Sequence, residues 1–332
     1  MNRIGRQLFV LGSNRGVLRQ EKVLRGNIVQ TCNISTLDSM YEKMISLPAV
    51  HYIEDSLVQF HDVTGIPWYG TIILCTASLR LMISLPAQTT SQKVASKRFL
   101  LFKEMEEIII PSLRRATDQQ VLVNRWTKEK AVKSFNRVAA QIKSQKVIEY
   151  NCHMSKLFIP LYVQIPVWVF TSIGIRNLAL MRETQERFLT VPVQERYIQL
   201  AAEGALWFPN LTVPDISLIL PFIVGSSFAL NIFISSCRIK SSEKTETKYS
   251  KVITYFLYAI SALMVPLAAV QPSALALYWA TSGVVGVGMN LLLLSPTYRK
   301  LVNIPKISKD SETPYVDLKE NMLAKLTFKR RE

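Results

Sequence analysis

The sequence predicts an all-α, polytopic membrane protein in which five transmembrane helices cross a bilayer and a helical hairpin separates the first two. Hydrophobic residues make up 49% of the 332 positions, and the mean hydropathy is +0.17. They concentrate in five blocks of about 20 residues, the length that crosses a hydrocarbon core as one helix. The formal charge is +16, with basic residues mainly between and after the blocks, as in loops that flank a membrane. The predicted spans are about 67–86, 157–176, 217–236, 252–270 and 273–294.

Two segments precede the first span. Residues 1–35 contain six basic residues against a single acid, Glu21, around short apolar runs. This composition predicts a mitochondrial transit peptide, because a secretory signal needs a longer uninterrupted apolar core. Residues 36–66 are acidic on balance and amphipathic, and we expect them to approach the membrane from the intermembrane space.

The first span contains one charged residue, Arg80. An arginine at the centre of a membrane helix costs roughly 2.5 to 3.5 kcal/mol on insertion scales, so it is kept where a cavity, a partner or an interface accepts it. Snorkelling is the alternative, since Arg80 lies about 9 Å before Pro86 along the helix axis and its stem could reach the membrane surface. The span by itself leaves both interpretations open.

Residues 87–156 predict a basic helical hairpin that stands off the membrane. They hold 14 Lys and Arg against six Asp and Glu, and their apolar residues recur at helical spacing. Pro111 predicts a break in the first helix, and Thr127 predicts a cap for the second. A solvated loop that only sets the orientation of the protein would explain the charge equally well.

Polar residues are sparse in the later spans. Gln164 lies in the second span, Asn231 in the third, and Thr281 and Asn290 in the fifth. They are too scattered to define a site by themselves. Asp215, just before the third span, is placed to cap that helix.

The fourth and fifth spans are separated by little more than Gln271 and Pro272. So short a connection predicts that these two spans form a tight helical hairpin. The fifth span also contains several glycines, and Ser282 and Gly286 have the four-residue spacing of closely packed membrane helices.

Several classes of protein are disfavoured. Neither a phosphate-binding loop nor an HExxH motif occurs, so nothing points to an enzyme. The four cysteines have no CxxC or other regular spacing, so no disulfide framework, zinc site or other cofactor site is indicated. The basic residues are divided among loops rather than gathered in one module, which disfavours specific nucleic-acid binding. Five spans do not divide into the two related halves of many transporters.

Three short segments carry a family resemblance. The pair Leu79 and Arg80 followed by Leu85 and Pro86, the run 164–166, and the run 206–215 together resemble the YidC/Oxa/Alb membrane insertase family over roughly residues 60–295. The turn at 151–153 and the run 310–315 look like its mitochondrial cytochrome-oxidase branch. One departure is Asn210, where the family usually has aspartate. Only a role that needs a charge at this position is in doubt, since asparagine can still cap or hydrogen-bond.

The resemblance implies a groove in which client proteins pass through the membrane. Arg80 falls on the family's groove arginine, and the candidate groove residues are Arg80, Gln164, Asn231, Thr281 and Asn290. The implied task is to move the C-terminal tail of cytochrome c oxidase subunit 2 across the mitochondrial inner membrane during assembly of complex IV. Subunit 2, other complex IV assembly factors and the lipid bilayer are the implied partners. A passive assembly scaffold is the main alternative, and a small-solute transporter is a further one.

Charge balance predicts the orientation. Basic residues outnumber acidic ones by 14 to 6 in 87–156, by 5 to 2 in 237–251 and by 9 to 5 in the tail 295–332, but are outnumbered by 5 to 3 in 177–216. We therefore expect the first three segments on the matrix side and residues 177–216 in the intermembrane space, with the N-terminus there and the C-terminus in the matrix. The tail is interrupted by three prolines, so ribosome contact is expected to be weak or absent.

Overall fold

The computed structural model describes residues 43–180, 193–240, 248–308 and 310–326. The predicted transit peptide, residues 1–35, lies outside these ranges. Within them we number ten helices in chain order: α1 Pro48–Thr64, α2 Trp68–Asn124, α3 Lys128–Glu149, α4 Ile159–Ala179, α5 Val193–Ala202, α6 Ile219–Lys240, α7 Lys248–Ala269, α8 Ser273–Leu294, α9 Pro296–Leu301 and α10 Pro314–Leu326. Five of them, α2, α4, α6, α7 and α8, are long and apolar enough to cross a membrane. The prediction of an all-α protein with five spans is confirmed.

Helix α2 continues well beyond the predicted end of the first span. It passes through Pro86 and Pro111 without a break and ends at Asn124. A π-helical turn precedes each proline, at Arg80–Ser84 and at Met105–Ile109. A proline ring would clash with the carbonyl four residues earlier, and the wider π turn gives that carbonyl more room. The predicted break at Pro111 is therefore wrong, and the span and the first arm of the hairpin form one helix.

The hairpin itself consists of the end of α2 and α3. The Thr127 side chain accepts a 3.5 Å hydrogen bond from the Lys130 N–H, which confirms the predicted cap. Near the base, two cations lie close to the Phe102 ring, with Arg98 5.3 Å and Lys143 5.1 Å from its centroid. The position of this hairpin relative to a membrane stays a prediction.

At the other end of the bundle, helices α1 and α5 and residues 203–218 cover the spans, and we call this the cap end. The Glu203 carboxylate accepts a 2.8 Å hydrogen bond from the Trp68 N–H and lies 3.1 Å from the His61 imidazole. The His61 ring stacks on Trp68 at a centroid distance of 4.4 Å. Glu203 therefore caps α2, where a carboxylate is stabilised by the unpaired N–H groups and the helix dipole.

Residues 203–218 also hold the starts of α6 and α8. Asp215 accepts a 2.8 Å bond from the Leu220 N–H and a 2.6 Å bond from the Ser217 hydroxyl, so the predicted cap is confirmed. Burial alone would raise the pKa of the Asp215 carboxyl, but these hydrogen bonds outweigh it and hold the pKa below its usual range. The Ser273 N–H donates to the Val213 carbonyl at 2.8 Å, which ties α8 to the same segment.

Helix α7 packs along α6 and makes only minor contact with α8. The expected tight hairpin of the fourth and fifth spans is therefore wrong. The reason lies in α6, where Gly225 leaves room for α7. A Cβ atom at Gly225 would lie 2.4 Å from a Val265 methyl and 3.2 Å from the Ser261 carbonyl. A short connection brings two helix ends together, but packing surfaces decide which helices lie side by side.

Arg80 divides the bundle into two parts, which we call the cap half and the hairpin half. The main apolar cluster has 20 buried residues and lies entirely in the cap half. On α8 it includes every residue from Ala274 to Ala280. In the hairpin half, the described spans bury Ala87, Ile234, Met289 and Leu293, and a separate apolar cluster lies at the base of the hairpin. The buried members of that cluster are Val94, Leu101, Met105 and Cys152.

Candidate functional site

Arg80 bridges α2 and α8 within the first candidate span. Its Nε donates a 2.8 Å hydrogen bond to the Ser282 hydroxyl, and its Nη2 donates to the same oxygen. Ser282 is fully buried, whereas Arg80 is half-buried. Arg80 lies about 18 Å along the helix from Trp68, close to the centre of a core of about 30 Å. The guanidinium thus reaches sideways to a neighbouring span.

A line of polar side chains continues along α2 towards the hairpin. Ser84 donates a 2.7 Å hydrogen bond to the Gln164 side chain on α4. Further along, the Thr89 hydroxyl lies 3.0 Å from the Tyr298 hydroxyl, and the Ser91 hydroxyl donates to the Leu157 carbonyl at 2.9 Å. Between Arg80 and Ser91, side-chain hydrogen bonds therefore link α2 to its neighbours.

A second group of polar contacts joins α6 to α8. The Asn231 amide donates to the carbonyls of Ser227 at 2.8 Å and Gly283 at 2.9 Å, and it accepts a 2.7 Å bond from Asn290. A side chain at Gly283 would collide with Ser227, and a Cβ at Gly286 would lie 3.3 Å from the Asn231 amide oxygen. The prediction of close packing at the small residues of α8 is confirmed.

The structure separates the five predicted groove residues into three groups by their hydrogen bonds. Arg80 and Asn231 bond to adjacent residues of α8, Ser282 and Gly283, so they belong to one polar layer. Asn290 extends this layer through Asn231, and Gln164 joins α2 through Ser84. Thr281 is half-buried and takes part in none of these bonds.

Sequence reasoning missed what Ser84 and Ser282 do. Serines are common in membrane helices, so neither residue is conspicuous alone. Ser84 follows Arg80 by four residues, which places it on a similar face of α2. Ser282 was recognised as a small residue of a packing motif, but no pattern in one sequence indicates that its hydroxyl would meet the guanidinium.

An apolar surface lies beside this polar layer. Leu81, Met82 and Ile83, in the same π turn as Arg80, are 49%, 76% and 37% exposed, and Leu161 and Ile165 on α4 are both 51% exposed. In a membrane these side chains contact lipid. The arrangement offers a cation and several hydrogen-bonding groups within reach of a chain that enters from the side or from the hairpin end.

The chain is similar to curated mitochondrial proteins. It is 36% identical to the Homo sapiens protein named cytochrome c oxidase assembly protein COX18, mitochondrial, over 283 residues that cover 84% of this chain and 80% of that protein. The Mus musculus protein of the same name is 36% identical over 88% of this chain and 85% of its own length. The mitochondrial inner membrane protein OXA1 of Arabidopsis thaliana is 23% identical over 77% of this chain and 52% of its own length. No protein-family model matches the chain.

Proposed function

Because the chain belongs to the COX18 family of mitochondrial cytochrome c oxidase assembly proteins, we propose that it is a membrane insertase that exports the C-terminal tail of cytochrome c oxidase subunit 2. It is a multi-pass protein of the mitochondrial inner membrane with a role in oxidase assembly and membrane insertion. The proposal that the chain exports the subunit 2 tail rests mainly on the contact between Arg80 and Ser282, which holds a cation inside the first span.

The proposed mechanism requires no covalent chemistry. Polar groups on α2, α4 and α8 shorten the hydrocarbon path that a hydrophilic segment must cross, and Arg80 attracts acidic groups as they pass. The membrane potential assists, because carrying one negative charge out of a negative matrix gains about 2.3 kcal/mol per 100 mV. An acidic tail is therefore both attracted and pulled.

The mechanism fixes an orientation. The hairpin end lies in the matrix, where the client begins, and the cap end lies in the intermembrane space. The basic excess of residues 87–156 and the acidic excess of residues 177–216 support this assignment. Other complex IV assembly factors on the cap side are the proposed recipients of the client.

The test compares three substitutions at Arg80 in cells where the variant is the only copy of this protein. Arg80→Lys keeps the cation and should retain much of the export, although its ammonium cannot reproduce the two-pronged contact with Ser282. Arg80→Ala should be intermediate. Arg80→Glu should lower export by roughly tenfold or more, equivalent to at least 1.4 kcal/mol. The measurement is cleavage of the subunit 2 tail by protease added to mitochondria with ruptured outer membranes.

Arg115→Glu is the matched control, because Arg115 is exposed in the hairpin and the charge change is the same. It should leave export close to normal. Normal export by Arg80→Glu at a normal protein level would contradict the proposal. It would favour a passive scaffold, which needs no cation in the membrane.

A further inference from the structure

Helix α10 presents apolar side chains that are about half exposed in the described part of the chain. Tyr315, Val316 and Met322 are 48%, 52% and 46% exposed. Their positions i, i+1 and i+7 place them on one face of a helix. Leu318 and Asn321 lie on another face and are half-buried, and α10 contacts α6. The edge of the helix that carries Leu318 and Asn321 is therefore partly packed, and the stripe of Tyr315, Val316 and Met322 is more exposed.

A hydrogen bond places the start of α10 beside the hairpin end of α8. The Tyr315 hydroxyl donates a 3.2 Å hydrogen bond to the carbonyl of Leu291, which lies in the last turn of α8. The start of α10 thus lies beside the point where α8 leaves the hydrocarbon region. Helix α10 also contacts α6, so it lies against two of the spans.

Two side-chain contacts hold the segment between α8 and α10 in place. The Tyr298 hydroxyl of α9 lies 3.0 Å from the Thr89 hydroxyl of α2. The Arg299 guanidinium forms a 3.0 Å ion pair with Asp310, and both side chains are mostly buried. These contacts anchor the chain on both sides of residues 300–308, so the level of α10 does not depend on Tyr315 alone.

Residues 295–332 hold nine Lys and Arg against five Asp and Glu, so this end of the chain is basic on balance. The helix α10 itself is neutral, with Lys319 and Lys325 against Asp317 and Glu320. Lys300, Lys306 and Lys319 lie in or next to the helices of this end, and the sequence continues with Lys329, Arg330 and Arg331. Lys319 is in the apolar stripe, where its four-carbon stem can lie along lipid while its ammonium reaches a headgroup phosphate. Amphipathic helices with basic residues bind the headgroup region of anionic bilayers in this way.

We infer that the apolar face of α10 is a lipid-binding surface that lies in the headgroup region of an anionic bilayer, on the hairpin side of the membrane. The occupant of this face is lipid. The helix then fixes the hairpin ends of α6 and α8 relative to the membrane surface. This inference is independent of the client and of Arg80.

The test measures the depth of two positions in the full chain reconstituted into phosphatidylcholine vesicles that contain cardiolipin. The four native cysteines are replaced by alanine, and a spin label is attached at Met322→Cys or, as the matched control, at Asp317→Cys on the opposite face. Electron paramagnetic resonance measures how often the spin label collides with each of two reagents. Frequent collisions with oxygen show that the label lies in lipid, and frequent collisions with a water-soluble nickel chelate show that it lies in solvent. We expect the ratio of oxygen to nickel accessibility to be several-fold higher at position 322 than at position 317.

Two results would overturn the inference. Equal and high nickel accessibility at both positions would place α10 in solvent. Shielding of position 322 from both reagents would mean that a protein partner or a second copy of the chain covers the face. Melting temperatures of both labelled chains, compared with the cysteine-free chain, show that the substitutions leave the fold intact.

Discussion

The cap half and the hairpin half of the bundle use the same five spans in different ways. The cap half packs around 20 buried apolar residues. The carboxylates of Glu203, Asp215 and Glu54 in this half accept hydrogen bonds. In the hairpin half, a smaller apolar cluster lies at the base of the hairpin. Between that cluster and the cap half, the helices meet through Arg80, Ser84 and Asn231. The difference supports the proposal that the cap half stabilises the fold while the hairpin half provides the polar path for the client.

Apolar packing in the cap half allows the hairpin half to keep weak polar contacts inside the membrane. Hydrogen bonds between membrane helices average only about 0.6 kcal/mol, so a layer of them holds helices together weakly and can exchange partners. Tight apolar packing in the other half supplies the stability that this exchange requires. In the proposed mechanism, a client group would replace Ser282 or Gln164 as a partner without unfolding the bundle.

The largest expected effect comes from overpacking the cap half. Ala276 is fully buried in the main cluster, so Ala276→Leu should lower the free energy of unfolding by about 2 to 3 kcal/mol. Thermal melting in detergent measures the loss. Gly288→Leu, on the same helix but facing open space, should change stability by no more than about 0.5 kcal/mol. Equal losses at both positions would show that the cap half is not the tightly packed one.

A smaller effect is expected in the polar layer between α6 and α8. Asn231→Ala removes the bonds to Gly283 and Asn290 and should lower the free energy of unfolding by about 1 kcal/mol. Asn290→Ala removes one of these bonds and should lower it by about 0.6 kcal/mol. The same melting assay compares the two. A loss at Asn231 as large as that of Ala276→Leu would remove the distinction between the halves.

The smallest effect on stability should come with a clear effect on export. Ser84→Ala removes only the bond to Gln164 and should lower the free energy of unfolding by about 0.6 kcal/mol. Because Ser84 lies on the proposed path, export of the subunit 2 tail should nevertheless fall several-fold. The two assays are run on the same variant, with Ser84→Thr as a control that keeps the hydroxyl. Unchanged export would remove Ser84 from the path.

Much of the fold could be predicted from the sequence, because membrane spans depend on length, hydropathy and flanking charge. The caps at Thr127 and Asp215 were also predictable, since a cap needs only local sequence. The continuity of α2 through Pro86 and Pro111 was not, because a π turn leaves no signature in composition. The pairing of α7 with α6 depends on Gly225 meeting Val265 and Ser261, a contact between residues 36 to 40 positions apart.

The sequence could also predict one part of the candidate site and not the other. A lone arginine in an apolar block is conspicuous in any sequence, so Arg80 could be found directly. Its partner could not, since Ser282 is 202 residues away and resembles other small residues of a packed helix. Periodicity and propensity are local properties of a sequence, so they do not predict contacts between polar residues that lie far apart in the chain.

Photo-crosslinking from the two halves tests the central claim most directly. A photoreactive phenylalanine at Gln164, next to Ser84 in the hairpin half, is compared with one at Phe222, which is 64% exposed at the cap end of α6. Newly made subunit 2 is the client, and crosslinked products are identified after illumination of intact mitochondria. A client that passes along the polar side of α2 and α4 crosslinks strongly from position 164 and weakly from position 222. Equal yields, or a stronger product from position 222, would contradict the account.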